Sequence, residues 1–513
     1  MEQTIAAQNT PQAPDMRLFW GCFIALIATA FGFIARVLTS SEWGTEFGLS
    51  ETQIGEILGV GLWPFAISIV LFSFIIDKVG YKTAMWFGLL CHSLSTVLIL
   101  FAKDYWMMYL GTLVLALGSG TVEAYINPVV ATAFSKEKTK WLNILHGGWP
   151  GGLALGGVVI LMLFSGLYWK AKIALILIPT VVYAIILWNK TFPIQERVAA
   201  GVSYKDMLKE VGALGAAIIA YMIFAEIGRI AEFGNLFTYI MTLLAAVAFY
   251  AYTRSLGRPL YIFLLLIMML LATTELGVDS WITPLMEGEM GDNAGWVLIY
   301  TSVIMVILRF NSGPLVRKFT PLGLLAISAL LAACGLYLLS QAAGFAILAA
   351  ATVYGLGKAF FWPTTLGVVS EQFPKGGAMT LNAIAGVGML AVGTFGNPIL
   401  GYVQDKAIQE RLVAYDQQNN TDLSSTYVID EKRSIIGTYK SLNNAKLAEA
   451  PGEHVEIITN VQNVSKKDAI RGVVILPVIM LVCYIVLLLY FRSKGGYKQV
   501  DIAARPEPVA PVR

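Results

Sequence analysis

Residues 123–128 of this 513-residue chain read EAYINP, and residues 358–363 read KAFFWP. The two stretches share one pattern: a charged residue, Ala, an aromatic residue, any residue, a large side chain and Pro. Each follows a glycine-containing run (118–120 and 355–357) and lies inside a long apolar segment. A charge at the centre of a membrane helix costs about 2.5–3.5 kcal/mol on insertion scales. The pair therefore predicts a duplicated membrane protein with a charged central cavity.

The composition supports a membrane protein. Apolar residues make up 57% of the chain and charged residues 13%, whereas soluble domains carry about 25% charged residues. We therefore expect an all-α, polytopic membrane helical bundle. A net charge of +3 gives no reason to expect nucleic acid as a partner. The four cysteines and three histidines show no metal-ligand spacing, so we expect neither a metal site nor a cofactor.

A membrane span requires about 20 mostly apolar residues, and fourteen segments meet this requirement. They predict two pseudo-symmetric six-helix halves, residues 1–190 and 258–513, joined through 191–257 by a cytoplasmic linker and two extra helices. The predicted spans lie near 17–38, 53–76, 83–102, 106–134, 141–168, 171–189, 211–229, 235–253, 259–282, 294–314, 321–340, 344–369, 377–403 and 472–491.

The charges of the short loops predict the orientation. Loops on one side carry cations such as Lys138, Lys140 and Arg317, whereas the first loop on the other side carries Glu42 and Glu46. The positive-inside rule then places both termini in the cytoplasm, as an even number of spans requires. We expect a multi-pass protein of a cell membrane, namely a bacterial inner membrane.

A polar segment, residues 404–470, separates the last two predicted spans. The orientation places it outside. It could form a small cap in which residues 428–429 and 455–458 pair as short strands, or it could be a flexible loop.

The two motif charges, Glu123 and Lys358, lie near the midpoints of their spans. Secondary transporters bind substrate near the midplane, at the interface between repeats. Asn127 and Trp362 follow the charges by four residues and therefore share their helix faces. We predict that all four contact a substrate. The alternative is a structural Glu–Lys pair that locks two helices.

The fifth span offers further polar groups. Asn143, His146 and Trp149 follow a three-residue spacing and share one face. Their amide, imidazole and aromatic surfaces suit a hydroxyl-rich ligand, and the matching span of the second half adds Asn382. The alternative is that Trp149 packs between helices and His146 is hydrogen-bonded within the bundle.

Other charges inside predicted spans are further candidates. Glu275 and Asp279 share a face in the outer half of the ninth span, where they could form an external gate. Arg36 lies near the outer end of the first span and either joins this gate or snorkels to the surface. Arg309 lies in the inner half of the tenth span.

The loop after the second span, residues 73–82, reads SFIIDKVGYK. Asp77 at a helix end, the turn residue Gly80 and the cations Lys78 and Lys82 suit a cytoplasmic gating hinge. The Asp77 carboxylate could face the N-terminus of a neighbouring helix. The second half has an echo at 313–319, GPLVRKF, which lacks the acid.

This loop resembles the hinge motif of the major facilitator superfamily, whose duplicated six-span halves match the predicted organisation. Residues 118–128 (GSGTVEAYINP) and 142–152 (LNILHGGWPGG) resemble the fucose–galactose–glucose:proton symporter group. The resemblance implies that Glu123 is the proton-coupling or sugar-contacting carboxylate. His146 and Trp149 stand where that group has Gln and Asn. The two extra helices resemble instead fourteen-span branches that include drug exporters and peptide symporters.

We therefore predict a monomeric secondary transporter that couples protons to the uptake of a sugar or similar polar solute by alternating access. Protonation of Glu123 would weaken its attraction to Lys358 and allow the halves to rock. One alternative is a proton-driven exporter of organic ions or drugs. Another is a non-transporting sensor or enzyme on a transporter scaffold, but the sequence offers no catalytic constellation, and we expect no enzymatic activity.

Overall fold

The computed structural model describes residues 14–49, 51–164, 166–280, 282, 286, 290–291, 294–434 and 437–502. Thirteen helices in this part of the chain are long and apolar enough to cross a membrane, and the tenth predicted span is a shorter apolar helix of 16 residues. We number all fourteen in chain order as spans. They are Met16–Ser40, Gln53–Val79, Tyr81–Leu100, Tyr105–Ala133, Lys138–Leu163, Trp169–Leu187, Tyr204–Ile230, Asn235–Thr253, Pro259–Ser280, Gly295–Phe310, Ser312–Gln341, Ala346–Gln372, Pro374–Asn419 and Gly452–Ser493.

The predicted all-α bundle is confirmed, and one boundary that differs has a local cause. The eleventh helix begins at Ser312, nine residues before the predicted span, but it is interrupted at Thr320, where φ is 60°. Pro321 follows, and a proline disfavours the α conformation of the residue before it. Residues from Pro321 onward therefore form a separate helical stretch that matches the predicted span at 321–340.

The glycine runs before the two motif copies allow helices to approach closely. A Cβ on Gly120 would lie 2.2 Å from the backbone oxygen of Phe65 in the second span. A Cβ on Gly357 would lie 2.3 Å from the backbone nitrogen of Ala332 in the eleventh span. In lipid, helices associate through such close packing of small residues. These glycines hold the motif-bearing helices against their own halves.

The two halves meet mainly along three pairs of helical segments. The second span packs on the thirteenth. The first part of the fifth span, Lys138–His146, packs on the twelfth span, and its second part, Gly148–Val158, packs on the tenth. Asp15, before the first span, pairs with Lys190, and Gln499, after the last, donates to the Ser135 carbonyl. The two ends of the described chain therefore lie at one face of the bundle, which we name the terminal face; the opposite face is the distal face.

The two extra helices form a peripheral hairpin. The first extra helix, Tyr204–Ile230, packs against the thirteenth span. The second extra helix, Asn235–Thr253, packs mainly against Tyr204–Ile230. Only Thr238 and Thr253 of the second helix are buried. Its exposed surface is apolar, as suits a helix that faces lipid.

Residues 404–470 fold at the distal face as extensions of the last two spans. The helix Asn397–Asn419 and the helix Gly452–Val473 pack together, and an antiparallel pair of strands, Asp430–Ser434 and Gly437–Ser441, lies between them in the chain. The predicted strand at 455–458 is wrong because these residues lie within Gly452–Val473. A small apolar cluster of its own, with Leu412, Tyr427 and Ile458, stabilises this unit.

We predict that Gly357→Ala lowers the free energy of unfolding by about 1–3 kcal/mol, because the added methyl overpacks a backbone-to-backbone contact. Gly55→Ala is the matched control: Gly55 is helical, and its Cβ would meet no atom within 4 Å. There the change should stabilise by up to ~1 kcal/mol. Unfolding of both purified variants in detergent measures the difference, and equal stabilities would contradict the packing argument.

Candidate central site

A cavity lies between the two halves. Its walls come from both halves, and the empty volume between them, counted out to open solvent, is about 380 Å³. The lining residues are Phe65, Glu123, His146, Trp149, Glu275, Leu276, Arg309, Trp362 and Met389. Four of the eight predicted substrate contacts, Glu123, His146, Trp149 and Trp362, are therefore brought together here.

The first half contributes a hydrogen-bonded chain of buried polar side chains. Asn127 Nδ2 donates to Glu123 Oε2 at 2.7 Å, and His146 Nε2 lies 2.8 Å from Asn127 Oδ1. Because an amide oxygen only accepts, Nε2 of His146 carries the proton in this arrangement. His146 Nε2 is also 4.0 Å from Glu123 Oε2. The i, i+4 spacing of Glu123 and Asn127 places both on one helix face, as the sequence predicted.

Arg309 is the cation in the cavity wall, and it joins the halves. Its Nη2 donates to Glu275 Oε1 at 2.9 Å within the second half. Its Nη1 donates to the His146 carbonyl of the first half at 2.7 Å, and its Nε donates to the Ala359 carbonyl at 2.6 Å. The guanidinium is buried, with 1% of the residue exposed. The planar guanidinium therefore donates hydrogen bonds to one carboxylate and two carbonyls at the same time.

Prolines explain why these two carbonyls are available. In a helix, the carbonyl of residue i accepts from the N–H of residue i+4, and proline has no N–H. Pro150 follows His146 by four residues, and Pro363 follows Ala359 by four. Both carbonyls therefore lack their helical donor, and Arg309 supplies the replacement that a buried backbone group in a membrane requires.

The same rule explains the position of Asn382. Pro128 of the first motif removes the helical donor of the Ala124 carbonyl. Asn382 Nδ2, from the thirteenth span of the other half, donates to that carbonyl at 3.0 Å. Asn382 therefore contacts the first half directly and does not line the cavity. The Pro of each motif copy, together with Pro150, thus creates an acceptor that a side chain of the second half occupies.

The structure does not show the predicted attraction between Glu123 and Lys358. Lys358 Nζ donates to Asp279 Oδ1 and lies 5.0 Å from the centre of the Tyr354 ring. The helix ends at Lys358, and a new one begins at Phe361. The four-residue rule that placed Lys358 and Trp362 on one face assumed an unbroken helix. Trp362 lines the cavity and Lys358 does not.

Two predicted gate residues, Glu275 and Arg36, are buried. Glu275 lies in a π-helical turn, Thr273–Gly277, that interrupts the ninth span and faces the cavity. Its Oε2 is buried and has no hydrogen-bond partner in the described part of the chain. Arg36 is 5% exposed, and its Nε donates to the Gly32 carbonyl at 2.8 Å, so it does not snorkel.

The hinge loop is tied to the linker. Asp77 Oδ2 accepts from Arg197 Nη2 rather than from a helix N-terminus, and Lys78 Nζ lies 4.6 Å from the centre of the Tyr204 ring. Gly80 has φ 86° and joins the second and third spans without an intervening loop. This conformation favours glycine. Lys82 is exposed on the first turn of the third span.

Polar contacts close the halves against each other between the cavity and the terminal face. Asn143 Nδ2, one turn below His146, donates to Thr364 Oγ1 at 3.1 Å. One turn further, Glu371 Oε1 accepts from the backbone N–H of Thr139 at 3.2 Å and from its hydroxyl at 2.5 Å. Thr139 lies in the first turn of the fifth span. A carboxylate of one half therefore caps a helix N-terminus of the other.

The chain after the last span reinforces this closure. Tyr497 donates to Glu371 Oε2 at 2.7 Å, and the Gln372 amide donates to the Lys498 carbonyl at 2.8 Å. Gln499 donates to the Ser135 carbonyl of the first half at 2.8 Å. The segment thus contacts both halves at the terminal face.

A model of the Major Facilitator Superfamily matches residues 21–396. The chain belongs to the major facilitator superfamily. It is therefore a membrane transporter with the fold of that superfamily, as the duplicated spans and the hinge motif predicted. The match begins in the first span and ends in the thirteenth, so it includes every residue that lines the cavity.

Individual relatives match shorter stretches. The hexuronate transporter of Bacillus subtilis is 26% identical over 147 residues, 28% of this chain and 34% of that protein. The gentisate transporter of Corynebacterium glutamicum is 25% identical over 161 residues, 31% of this chain and 36% of that protein. The chain thus matches about a third of the length of either relative. Their solutes differ, so these matches leave the solute undetermined.

Solved structures match almost the whole chain. The Escherichia coli fucose:proton symporter has a TM-score of 0.58 at 16% identity, over 93% of this chain and 99% of its own. A proton:xylose symporter has a TM-score of 0.59 at 14% identity, over 91% and 94%. The predicted resemblance to the fucose symporter group is confirmed, and at these identities it concerns the fold.

Sequence reasoning gave Arg309 no role in the site and overlooked Glu371 and Thr364. A signal for Arg309 exists: each proline inside a span marks a carbonyl four residues earlier that needs a new donor. Arg309 is a buried cation near two such carbonyls. Which donor reaches which carbonyl depends on how the halves pack.

We predict that Arg309→Lys lowers the free energy of unfolding by about 2–4 kcal/mol, because an ammonium cannot reach one carboxylate and two carbonyls together. Arg229→Lys is the control, since Arg229 is also paired with a glutamate but 69% of its side chain is exposed. That change should be nearly neutral. Thermal unfolding of both variants in the same detergent compares them, and similar midpoints would exclude a special role for the guanidinium.

We also predict that Glu371→Ala speeds amide hydrogen exchange in the first turn of the fifth span. The change removes the acceptor of the Thr139 N–H and weakens the closure of the terminal face. Glu410→Ala, at an exposed carboxylate in the distal segment, should leave this exchange unchanged. Exchange mass spectrometry on peptides containing residues 138–146 provides the measurement; unchanged protection in Glu371→Ala would show that the capping contact does not hold the closure.

Proposed function

We propose that this transporter couples protons to the movement of a sugar or similar polar solute by alternating access. The observation that carries the proposal is the buried Glu123 carboxylate in the central cavity, linked through Asn127 to His146. A buried carboxylate exchanges a proton when its surroundings change between conformations. The solved fucose:proton and proton:xylose symporters, which share the fold, support this choice.

The cavity residues divide the task. Glu123 carries the proton, and Asn127 and His146 hold its carboxylate and extend the hydrogen-bonded chain. Trp149 and Trp362 offer aromatic faces from opposite halves, on which the apolar face of a sugar ring can stack. Asn143 and Asn382 contact the solute only when their bonds to the opposite half are broken. Lys358 stays paired with Asp279 and shapes the second half.

Alternating access then follows from the closure at the terminal face. The contacts of Asn143, Asn382 and Glu371 with the opposite half must break before the terminal face opens. We propose that both termini are cytoplasmic, that the membrane is the bacterial inner membrane and that the protein acts as a monomer. In that orientation the described conformation is closed to the cytoplasm, and the proton and solute enter from outside.

Uptake into proteoliposomes tests the role of Glu123. With a pH difference of about 2 units, one-to-one coupling permits about a hundredfold accumulation, since each unit is a factor of ten. L-fucose, D-xylose and myo-inositol are suitable labelled probes. In Glu123→Gln we expect the accumulation ratio to fall to about 1, because a neutral amide cannot carry the proton. Exchange of labelled for unlabelled solute, which needs no net proton movement, should continue.

Glu410→Gln, which removes an exposed carboxylate, is the control and should accumulate solute as the unmodified protein does. Full proton-driven accumulation in Glu123→Gln would exclude Glu123 as the proton carrier. Loss of both accumulation and exchange would assign Glu123 to solute binding instead.

A proton-driven exporter is the second candidate, and one comparison favours it. The class H tetracycline resistance protein of Pasteurella multocida is 29% identical over 135 residues, 26% of this chain and 33% of that protein. The same vesicles separate the two functions. An exporter moves solute against the direction of proton flow, whereas a symporter moves both in one direction.

A further inference from the structure

The charges that face the cavity do not balance. Among the residues that the structure describes, two carboxylates, Glu123 and Glu275, and one cation, Arg309, line it. His146 is buried, and we count it as a neutral imidazole that donates from Nε2 to an amide oxygen. The nearest other cation, Lys358, is paired with Asp279 and does not line the cavity. With both carboxylates ionised, the wall therefore carries one excess negative charge, which a proton on Glu123 removes.

Arg309 is already paired and held in place. Three of its five N–H groups donate, one from each nitrogen, to Glu275, to the His146 carbonyl and to the Ala359 carbonyl. The N–H that remains on each Nη can still donate to a neutral oxygen, but the charge of the guanidinium is balanced by Glu275. Turning the guanidinium toward a solute carboxylate would leave at least one proline-freed carbonyl without a donor. A buried, unsatisfied carbonyl is unfavourable in a membrane protein. Arg309 is therefore fixed as a structural counter-ion for Glu275.

Glu275 retains a free acceptor that is suited to a solute donor. Its Oε1 accepts from Arg309, whereas its Oε2 is buried and has no hydrogen-bond partner in the described residues. The residue is 2% exposed and lines the cavity from the second half. Buried polar atoms are almost always satisfied, so a partner that the protein itself does not provide is expected. A hydroxyl group of a solute is such a partner.

We propose that the solute is a neutral polyhydroxylated molecule, an aldose or a cyclitol, and that Glu275 Oε2 accepts one of its hydroxyl groups. The proposal rests on the proposed transport function and names the solute class. A sugar acid brings a negative charge that no cation of the described cavity wall is free to balance, whether or not Glu123 carries its proton, because Arg309 is already paired with Glu275. A neutral sugar adds no charge, and its hydroxyls supply the missing donor.

Pairs of sugars that differ only at C6 test the proposal. D-glucose and D-galactose carry a hydroxymethyl group where D-glucuronate and D-galacturonate carry a carboxylate. Titration calorimetry on the full-length protein in detergent at pH 7 measures binding of each, with L-fucose and myo-inositol as additional neutral probes. We expect at least one neutral probe to bind and its acid counterpart to bind at least about tenfold more weakly, since like charges at close range are strongly unfavourable.

Variants of Glu275 assign the discrimination to this residue. Glu275→Gln removes the charge that balances Arg309, so the guanidinium can then balance a solute carboxylate, and the neutral-to-acid affinity ratio should fall severalfold. Glu275→Asp keeps the charge beside Arg309 but withdraws the acceptor from the cavity, so it should weaken neutral binding while the ratio stays high. An acid that binds as tightly as its neutral partner, the absence of binding by every neutral probe, or an unchanged ratio in Glu275→Gln would each overturn the proposal.

These results are separable from the test of proton coupling. Binding in detergent requires no proton gradient, so Glu123 can fail as the proton carrier while the neutral preference and its dependence on Glu275 persist. Conversely, proton-coupled accumulation of D-glucuronate in preference to D-glucose would refute the solute class and leave proton coupling intact.

Discussion

The central site depends on one constraint: a backbone carbonyl that is buried in a membrane bundle must find a hydrogen-bond donor. Pro128, Pro150 and Pro363 each deprive the carbonyl four residues earlier of its helical donor. Arg309 and Asn382 replace those donors. Because two of the three replacements cross from one half to the other, satisfying the backbone and joining the halves are the same event.

This constraint also arranges the charges. Arg309, held by two carbonyls, forms a buried pair with Glu275, and Lys358 is used in a separate pair with Asp279. Breaking a buried pair by removing one partner is strongly destabilising, so each cation stays paired with the carboxylate of its own half. Among the described residues, Glu123 accepts one hydrogen bond from the Asn127 amide and pairs with neither lysine nor arginine. It is the carboxylate whose charge can change without disrupting a pair, which suits a group that takes up and releases a proton.

Movement between conformations follows the same polar contacts. From the cavity to the terminal face, the first of these contacts is Asn143 with Thr364, and the second is Thr139 with Glu371. At the terminal face, Gln499 of the segment after the last span donates to the Ser135 carbonyl of the first half. If the halves separate, each of these polar groups exchanges its partner for another polar group or for water. Such exchanges change the free energy little. The interface can therefore be specific in one conformation and still open.

Local periodicity made much of this predictable from the sequence. Apolar length placed the membrane helices, and the i, i+4 spacing correctly placed Glu123 beside Asn127 on an unbroken helix. The same spacing failed for Lys358 and Trp362 because the helix ends between them. Likewise, the π-helical turn around Glu275 orients this predicted gate residue toward the cavity. Periodicity assumes regular helices, and the residues that it misplaced lie where helices are irregular.

The sequence by itself determined that the chain is a duplicated helical membrane transporter, because apolar length, loop charge and repeated motifs are local properties of the chain. It also identified the carboxylate Glu123 and the histidine His146 of the cavity. Only the tertiary structure decided which cation lines the cavity, which side chains donate to the carbonyls that the prolines leave without a helical donor, and from which half those side chains come. Those choices depend on how helices distant in sequence pack against one another, and no spacing along a single helix contains that information.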